Sequence, residues 1–390
     1  MERFDYRPSI RVVFGADALD MLDDAHYDGL GGLALQLEGR RVLLVTDPGV
    51  VSAGIVARAR ESLAGSGLTP VVFDGVEENP TTRHVEDAVA LARADGPIDL
   101  IVGLGGGSAM DCAKGANFLL TNGGAMEDYW GMDLASRPML PSIGIPTTAG
   151  TGSEAQSFAL IAQEGTHRKM ACGDRKARFR VVILDPTLTV SAPMRVAAAA
   201  GMDAIAHAVE SHVSTRRNAV SSMFSARAWT LLTGSFVAAL TDPQDVEARG
   251  RMLWGAHLAG AAIENAMLGA AHACANPLTA QHGIAHGVAV GLMLPHVIRF
   301  NGNTNDRLYG DLCGPVDGTP GTTEGCAESV VERIADLRAT ANLPRCLADC
   351  GVHADSLPGL AKEAAAEWTG RFNPRPVTET DFLELYEAAL

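Results

Sequence analysis

The sequence predicts an N-terminal α/β domain with a parallel sheet, followed by an all-α C-terminal domain. Short β-rich runs alternate with helical stretches up to about residue 188, which is typical of a parallel sheet covered on both faces. Strand signals nearly vanish after about residue 190, where alanine-rich helical spacing takes over. A chain of 390 residues suggests two domains, or three, at ~150 residues each. The predicted domains are 1–188 and 189–390.

The individual elements follow from the same patterns. Short apolar runs predict buried strands over 41–47, 69–74, 98–104, 139–146 and 181–185, with helices over 50–65, 81–94 and 109–120. The second half predicts helices over 194–213, 222–239, 245–268 and 288–299. A Gly-, Thr- and Pro-rich stretch predicts an exposed loop over 301–326, before helices over 327–340 and 357–367 and a last helix after the loop FNPRP.

The composition excludes several classes of protein. The 31 basic and 46 acidic residues give a formal net charge of −15, which argues against a nucleic-acid binder and against a protein held to anionic lipid. No apolar run reaches the ~18 residues that cross a bilayer, and the N-terminal residues lack the apolar centre of a signal peptide. Seven cysteines without a CxxC pair do not indicate a disulfide framework. We therefore expect a cytoplasmic globular protein with no nucleic-acid or membrane partner.

A glycine cluster in the first half predicts a phosphate-binding loop. Residues 103–108 (GLGGGS) directly follow a predicted strand and precede a helix, so backbone amides and the positive end of the helix dipole can approach an anion. The alternative is a tight strand-to-helix turn. A second turn of small residues, 146–154 (PTTAGTGSE), follows another strand. Two such turns at the carboxyl ends of parallel strands face one crevice, where dinucleotides bind.

Asp47 ends the first of these predicted strands, in the run VTDPG. A carboxylate there can accept hydrogen bonds from an adenosine ribose and repel a 2′-phosphate, which favours NAD over NADP. The alternative interpretation is an Asp that starts the turn before Pro48.

The histidines of the second half predict a metal site. Seven of the eleven histidines fall between residues 203 and 296. Asp203 and His207 are spaced i, i+4 on a predicted helix and so project from one face. His272 and His286 come from different local elements, because Pro277 lies between them. One carboxylate and three imidazoles suit Fe²⁺ or Zn²⁺, with room for a substrate oxygen.

Other histidines compete for this role. Any single histidine can be a helix-surface or hydrogen-bonded core residue, and we place His212, His257 and His296 in that class. His282 is spaced i, i+4 from His286, but Gly283 lies between the two and makes a helix that carries both of them doubtful.

Four motifs, GGGSAMD, PTTAGTGSE, DAIAHAVES and HACANPLTAQHGIAHG, resemble in this order the iron-containing (group III) alcohol dehydrogenases. The resemblance covers nearly the whole chain, including ENPT near residue 79 and FNPRP near the C-terminus. It implies a Rossmann-like N-terminal domain and an all-helical C-terminal domain, an architecture shared with dehydroquinate synthase, with nicotinamide and metal in the cleft between them. The implied activity is hydride transfer between a small primary alcohol and NAD, with the metal as Lewis acid. Aldehyde reduction is the reverse, and we expect a homo-oligomer, a dimer.

The resemblance also implies a role for individual residues. Those that match metal ligands of the family are Asp203, His207, His272 and His286. Those that match its pyrophosphate loop are Gly106, Gly107 and Ser108, those in its second nucleotide-contacting turn are Thr147, Thr148 and Thr151, and those at further dinucleotide contacts are Asp47, Asn79 and Lys169. We expect Asn276 and His286 at the catalytic centre.

Asn276 departs from the family pattern. Many members carry HxxxH in the third motif, with the second histidine proposed to relay protons, and here that position is Asn276. Asn does not exchange a proton near neutral pH, so the proton path must use water, the ribose hydroxyls or another side chain. The alternative is that Asn276 caps a turn before Pro277.

Three other functions compete with this interpretation. A metal-free enzyme resembling maleylacetate reductase would not need the four ligands that this chain retains. A lyase resembling dehydroquinate synthase would show no net redox change, so steady NADH release with an alcohol separates it. A helical interaction module with incidental histidines would bind neither metal nor NAD(H).

Overall fold

The computed structural model describes Phe4 and residues 6–20, 29–165, 168–313 and 325–390. Its strands are β1 (Arg11–Phe14), β2 (Arg41–Val45), β3 (Thr69–Phe73), β4 (Leu100–Gly105), β5 (Gly131–Met132), β6 (Ser142–Pro146), β7 (Phe158–Ala162), β8 (Lys169–Gly173) and β9 (Val181–Leu184). The first helices are α1 (Gly29–Gln36), α2 (Pro48–Ser52), α3 (Ile55–Gly65), α4 (Thr82–Asp95) and α5 (Gly107–Asn122). The later helices are α6 (Met194–Val213), α7 (Ala219–Thr241), α8 (Val246–Ala266), α9 (Ala270–His282), α10 (His286–Asn305), α11 (Gly310–Cys313), α12 (Cys326–Thr340), α13 (Leu357–Ala366) and α14 (Glu379–Ala389).

The chain forms two compact units. We call the first, Arg7–Thr148 with Gly152–Ala192, the α/β unit, and the second, which contains Ala149–Thr151 and Pro193–Leu390, the helical unit. The α/β unit contains a six-stranded parallel sheet in the order β1-β9-β6-β4-β2-β3. A three-stranded sheet has the order β5-β8-β7. Along the chain, its strands lie between β4 and β9 of the larger sheet. The predicted fold class, a parallel α/β sheet followed by helices, is confirmed.

The sequence analysis did not predict the strands that lie outside the alternation of strands and helices. β1 is a short strand at the edge of the larger sheet. β7 and β8 form an antiparallel pair in the smaller sheet, with no helix between them. The helix predicted over 50–65 is two helices, because Gly54 adopts the left-handed conformation, with φ of +77°, between α2 and α3.

The helical unit differs from prediction at two places. α9 continues through Pro277 to His282, so the expectation that Pro277 interrupts the helix is wrong. The loop predicted over 301–326 is helical as far as Cys313, and residues 314–324 lie outside the described residues. Beyond β9, the described residues contain helices and no strand, as predicted.

Two further findings bear on the expectations from composition. Cys313 and Cys326 form a disulfide, which the cysteine spacing did not predict, while Cys112, Cys172 and Cys274 are buried free thiols. Within the described ranges, no helix has the length and apolarity that a membrane span requires.

Candidate metal and dinucleotide sites

The glycine loop at the end of β4 leaves the first amides of α5 open. A Cβ on Gly105, which has φ of +150°, would lie only 2.8 Å from the Ala109 Cβ, so the chain can turn sharply here only with glycine. Gly106 is the N-cap of α5 and has no side chain of its own that could cap this helix end. The free N–H groups and the positive end of the helix dipole therefore form an anion cradle.

The second turn lies against the first. Gly105 pairs with Pro146 where β4 and β6 run parallel, and the Thr147 amide donates to the Gly105 carbonyl oxygen over 2.9 Å. A Cβ on Gly106 would stand 3.5 Å from the Thr148 Oγ1. The structure thus brings Gly106, Gly107 and Ser108 together with Thr147 and Thr148 at the carboxyl ends of two neighbouring strands.

The two carboxylate oxygens of Asp47 have different surroundings. Its Oδ1 accepts a hydrogen bond from the Val50 amide over 3.0 Å and so caps α2, as expected of an Asp before Pro48. Its Oδ2 faces the glycine loop, only 2.9 Å from where a Gly105 Cβ would lie. One carboxylate therefore caps the start of α2 and places negative charge beside the anion cradle.

The other predicted dinucleotide contacts are more scattered. Asn79 follows β3 in the left-handed conformation, with φ of +54°, and Lys169 begins β8. Burial raises the pKa of Asp111 in α5 above its usual range, and the charges of Lys114 and Lys169 oppose that shift. Thr151 is exposed and belongs to the helical unit.

A carboxylate and three imidazoles converge inside the helical unit. Asp203 and His207 lie on α6, His272 on α9, and His286 is the first residue of α10. The Asp203 Oδ1 lies 3.4 Å from the His207 Nε2, 3.4 Å from the His272 Nε2 and 3.8 Å from the His286 Nε2. Ligand atoms of Asp203, His207 and His272 all lie within 4.8 Å of one another.

A close helix crossing brings the His286 side chain to this cluster. A Cβ on Gly287 would lie 1.9 Å from the Ala199 carbonyl oxygen, and a Cβ on Gly291 would lie 2.5 Å from the Met202 Cγ. Only residues without a side chain fit at these two positions, so the start of α10 lies directly on α6. Asp203 and His286 are neighbours as a result.

The buried atoms of the cluster fit a bound cation. Asp203, His207 and His272 are 4%, 5% and 3% exposed, yet the Asp203 Oδ1 and the His272 Nε2 have no hydrogen-bond partner. A buried polar atom without a partner costs free energy, and here two such atoms face each other. Nitrogen and oxygen donors in this number are ligands for Fe²⁺ or Zn²⁺.

The charges within the cluster are strongly coupled. Burial alone would raise the pKa of Asp203, but the three imidazoles bring it below its usual range. Burial lowers the pKa of His207 to about 4. Burial opposes protonation of His272 too, but Glu210 and Asp203 raise the pKa of this imidazole to about 9. The cluster favours positive charge at its centre, which a divalent cation would also supply.

The remaining histidines of this region make other contacts. His212 is fully buried, and its Nδ1 is 2.8 Å from the Ser225 Oγ, while His257 stacks on Trp254. His282 ends α9 and His286 begins α10, so no single helix carries this pair, as expected.

Asn276 lies within α9, four residues after His272 and on the same helix face. Its Nδ2 donates to the Glu367 Oε2 over 2.9 Å. Because α9 does not turn at Pro277, the alternative that Asn276 caps a turn there is wrong. The sequence did not indicate Glu367, because no local pattern relates it to Asn276, 91 positions away.

The chain belongs to the iron-containing alcohol dehydrogenase family. The family model "Iron-containing alcohol dehydrogenase" matches residues 9–186, and the model of the C-terminal part of the Fe-containing alcohol dehydrogenase family matches residues 197–390. The resemblance found from the motifs is confirmed, and the protein is an NAD-dependent, metal-containing oxidoreductase that acts on alcohols or aldehydes.

Relatives of known activity match over most of the chain. Alcohol dehydrogenase 4 of Schizosaccharomyces pombe is 36% identical over 90% of this chain and 82% of its own length. The 1,3-propanediol dehydrogenase of Citrobacter freundii is 33% identical over 99% of this chain and 98% of its own. A crystal structure of a 1,3-propanediol oxidoreductase superimposes with a TM-score of 0.93 at 32% identity and covers 100% of both chains.

Coenzyme preference tests the role of Asp47. We expect kcat/KM to favour NAD(H) over NADP(H), because the Asp47 Oδ2 would repel a 2′-phosphate bound near the glycine loop. Asp47→Asn keeps an oxygen that can cap α2 but removes the charge, so kcat/KM for NADP(H) should rise roughly fivefold, for ~1 kcal/mol of repulsion. Asp47→Gly should relax the preference too, but with a loss of ~1 kcal/mol in stability from the missing cap. A wild-type preference for NADP(H), or an unchanged preference in Asp47→Asn, would contradict this role.

Proposed function

We propose that this enzyme oxidises small primary alcohols, and reduces the corresponding aldehydes, at a metal held by Asp203, His207, His272 and His286. The observation that carries the proposal is the meeting of a carboxylate oxygen and an imidazole nitrogen, the Asp203 Oδ1 and the His272 Nε2, both buried and both without a hydrogen-bond partner. The His286 side chain is 25% exposed and lies at the edge of the cluster, where a substrate oxygen can enter.

The side chains of the site bind and orient the reacting groups. The bound metal supplies Lewis acidity that lowers the pKa of the alcohol, and the nicotinamide accepts the hydride. Asp203 supplies the negative charge that a divalent cation needs, and His207 and His272 supply neutral nitrogen donors in a volume from which water is excluded. His286 completes the set from α10 and borders the substrate.

All the residues that we assign to the dinucleotide, except Thr151, belong to the α/β unit. We assign its pyrophosphate to the amides of Gly106, Gly107 and Ser108 at the uncapped start of α5. Thr147, Thr148 and Thr151 supply hydroxyls, and Asp47, Asn79 and Lys169 supply further polar contacts. Glycine at 106 supports this assignment, because a Cβ there would contact the Thr148 Oγ1 at 3.5 Å and fill space between the two turns.

We also propose a cytoplasmic location and a homodimer. The free thiols of Cys112, Cys172 and Cys274 support a reducing compartment, whereas the Cys313–Cys326 disulfide does not. Sedimentation equilibrium of the purified enzyme tests the dimer.

A substrate screen tests the reaction class. NADH absorbance should rise steadily when the enzyme is given NAD with ethanol, 1-propanol or 1,3-propanediol, and fall when it is given NADH with an aldehyde. The diol is included because a dehydrogenase that acts on 1,3-propanediol is 33% identical to this chain. Nicotinamide that is bound but never released as NADH would favour a lyase resembling dehydroquinate synthase.

Metal content tests the ligand set. His207→Ala and His272→Ala should reduce bound metal from about one per chain towards zero, and kcat/KM should fall by about 10²-fold or more, because Lewis-acid stabilisation contributes several kcal/mol. The matched control is His282→Ala, which removes an imidazole from the end of α9 and should leave metal content near wild type. If His282→Ala loses the metal and His272→Ala keeps it, the set is wrong.

The pH dependence of turnover tests Asn276. We propose that the Asn276 amide orients groups at the catalytic centre without exchanging protons, so kcat for alcohol oxidation lacks an imidazole limb that belongs to position 276. Asn276→His should add an ionisation near ~6.5, or shift substrate preference, at unchanged metal content. In Asn276→Ala, Glu367 loses a donor. If that variant changes only stability, with kcat/KM and its pH profile intact, Asn276 is not part of the centre.

A further inference from the structure

A second carboxylate, Glu210, contacts the back of the His272 ring. Glu210 lies on α6 and is 3% exposed. Its Oε2 is 2.5 Å from the His272 Nδ1, the ring nitrogen opposite to the one that faces Asp203. Its Oε1 accepts a hydrogen bond from the Ala271 amide over 2.7 Å. Both oxygens of one buried side chain are thus engaged at the start of α9.

This contact decides which nitrogen of His272 is available to a metal. A carboxylate only accepts hydrogen bonds, so the Nδ1 must carry the proton that Glu210 binds. When a metal replaces the proton on the Nε2, the lone pair of this nitrogen is available on the side of the ring that faces Asp203, 3.4 Å away. A histidine ligand is held in one tautomer and one orientation by such a partner on its far nitrogen.

The start of α9 has no cap of its own. Its N-cap residue is Gly269, where a Cβ would lie 2.9 Å from the Glu210 Oε1 and 3.1 Å from the Asn373 Oδ1. Glu210 accepts from the Ala271 amide, and the Asn373 Oδ1 accepts from the Ala270 amide over 3.4 Å. Two side chains from distant parts of the sequence therefore supply the cap, and Gly269 leaves the room for them.

Asn373 is itself fixed from the other side. It exchanges hydrogen bonds with Asn301 of α10, over 3.1 Å and 2.7 Å, and its Nδ2 also donates to the Arg375 carbonyl oxygen. The FNPRP segment thus secures the helix that carries His272 without contacting the imidazole in these bonds. Asn373 therefore caps α9 without contacting His272, whereas Glu210 both caps α9 and binds the His272 ring.

We infer that Glu210 is a positioning residue of the metal site, which holds His272 in the Nδ1-protonated tautomer with its Nε2 directed at the metal. The inference rests on the ligand set given under the proposed function. It assigns to Glu210 an effect on metal affinity that a purely structural side chain would not have.

The test is the isosteric variant Glu210→Gln. Its amide oxygen can still accept from Ala271, but its NH₂ group would donate to the His272 Nδ1 and force the proton onto the Nε2. The dissociation constant for Co²⁺ or Zn²⁺, measured by competition with a chromogenic chelator, should rise roughly 10- to 100-fold. The matched control is Asn373→Ala, which removes the other cap of α9. It should lower the thermal midpoint of the metal-free protein but raise the metal dissociation constant less than Glu210→Gln does.

A second measurement keeps the inference testable if Glu210→Gln does not fold. In zinc-loaded wild-type enzyme labelled with ¹⁵N-histidine, the His272 resonances should show a protonated Nδ1 and a metal-bound Nε2. A metal-bound Nδ1, or a Glu210→Gln variant that binds metal as tightly as wild type, overturns the inference. In either case the proposed function stands so long as His207→Ala loses the metal. If His207→Ala retains the metal, the ligand set itself fails.

Discussion

The burial of Asp203 among imidazoles is the interaction on which the helical unit depends. A carboxylate in a protein interior is tolerated only where opposite charge or hydrogen bonds surround it, so α6, α9 and α10 must all approach one point. Helices approach closely only where their facing residues are small, which explains glycine at 287 and 291 on α10. Larger side chains at these crossings would move His286 away from Asp203.

The α/β unit meets a different requirement, because its anion cradle is made of backbone N–H groups. The sheet order places β4 between β6 and β2, so the turns that follow β4 and β6 and the carboxylate that follows β2 end at the same edge. Gly105 permits this arrangement, since any side chain there would meet Ala109 and Asp47. The position of the Asp47 charge is fixed by its second task as the cap of α2. The charge beside the anion cradle is therefore coupled to the start of α2, and a substitution at residue 47 changes both unless the new residue also caps.

Local sequence patterns predicted those parts of the molecule in which neighbours in sequence determine the structure. The strands β2, β3, β4, β6 and β9 were predicted because each is a short apolar run, and α6 was predicted because its alanine-rich sequence has helical spacing. The antiparallel pair β7–β8 was missed because these two strands do not alternate with helices. The continuation of α9 through Pro277 was missed because the penalty for an internal proline is local, whereas the contacts that hold this helix are tertiary. One of them is the Tyr386 hydroxyl, which donates to the Cys274 carbonyl oxygen over 2.7 Å, 112 residues away. Glu210 was within reach of sequence reasoning, since the spacing 203, 207, 210 places it on the face that carries both ligands.

The supports of α9 keep the polar contacts of His272 separate from those of Asn276. His272 faces Glu210 from α6, and Asn276, one turn later, donates to Glu367 beyond α13. The two polar side chains thus have separate carboxylate partners from separate elements, and Asn373 and Tyr386 hold the backbone between and before them. A residue at 276 that still donates to Glu367 leaves the bonds of His272 as they are. The side chain at position 276 could therefore change without a change in the contacts that orient His272.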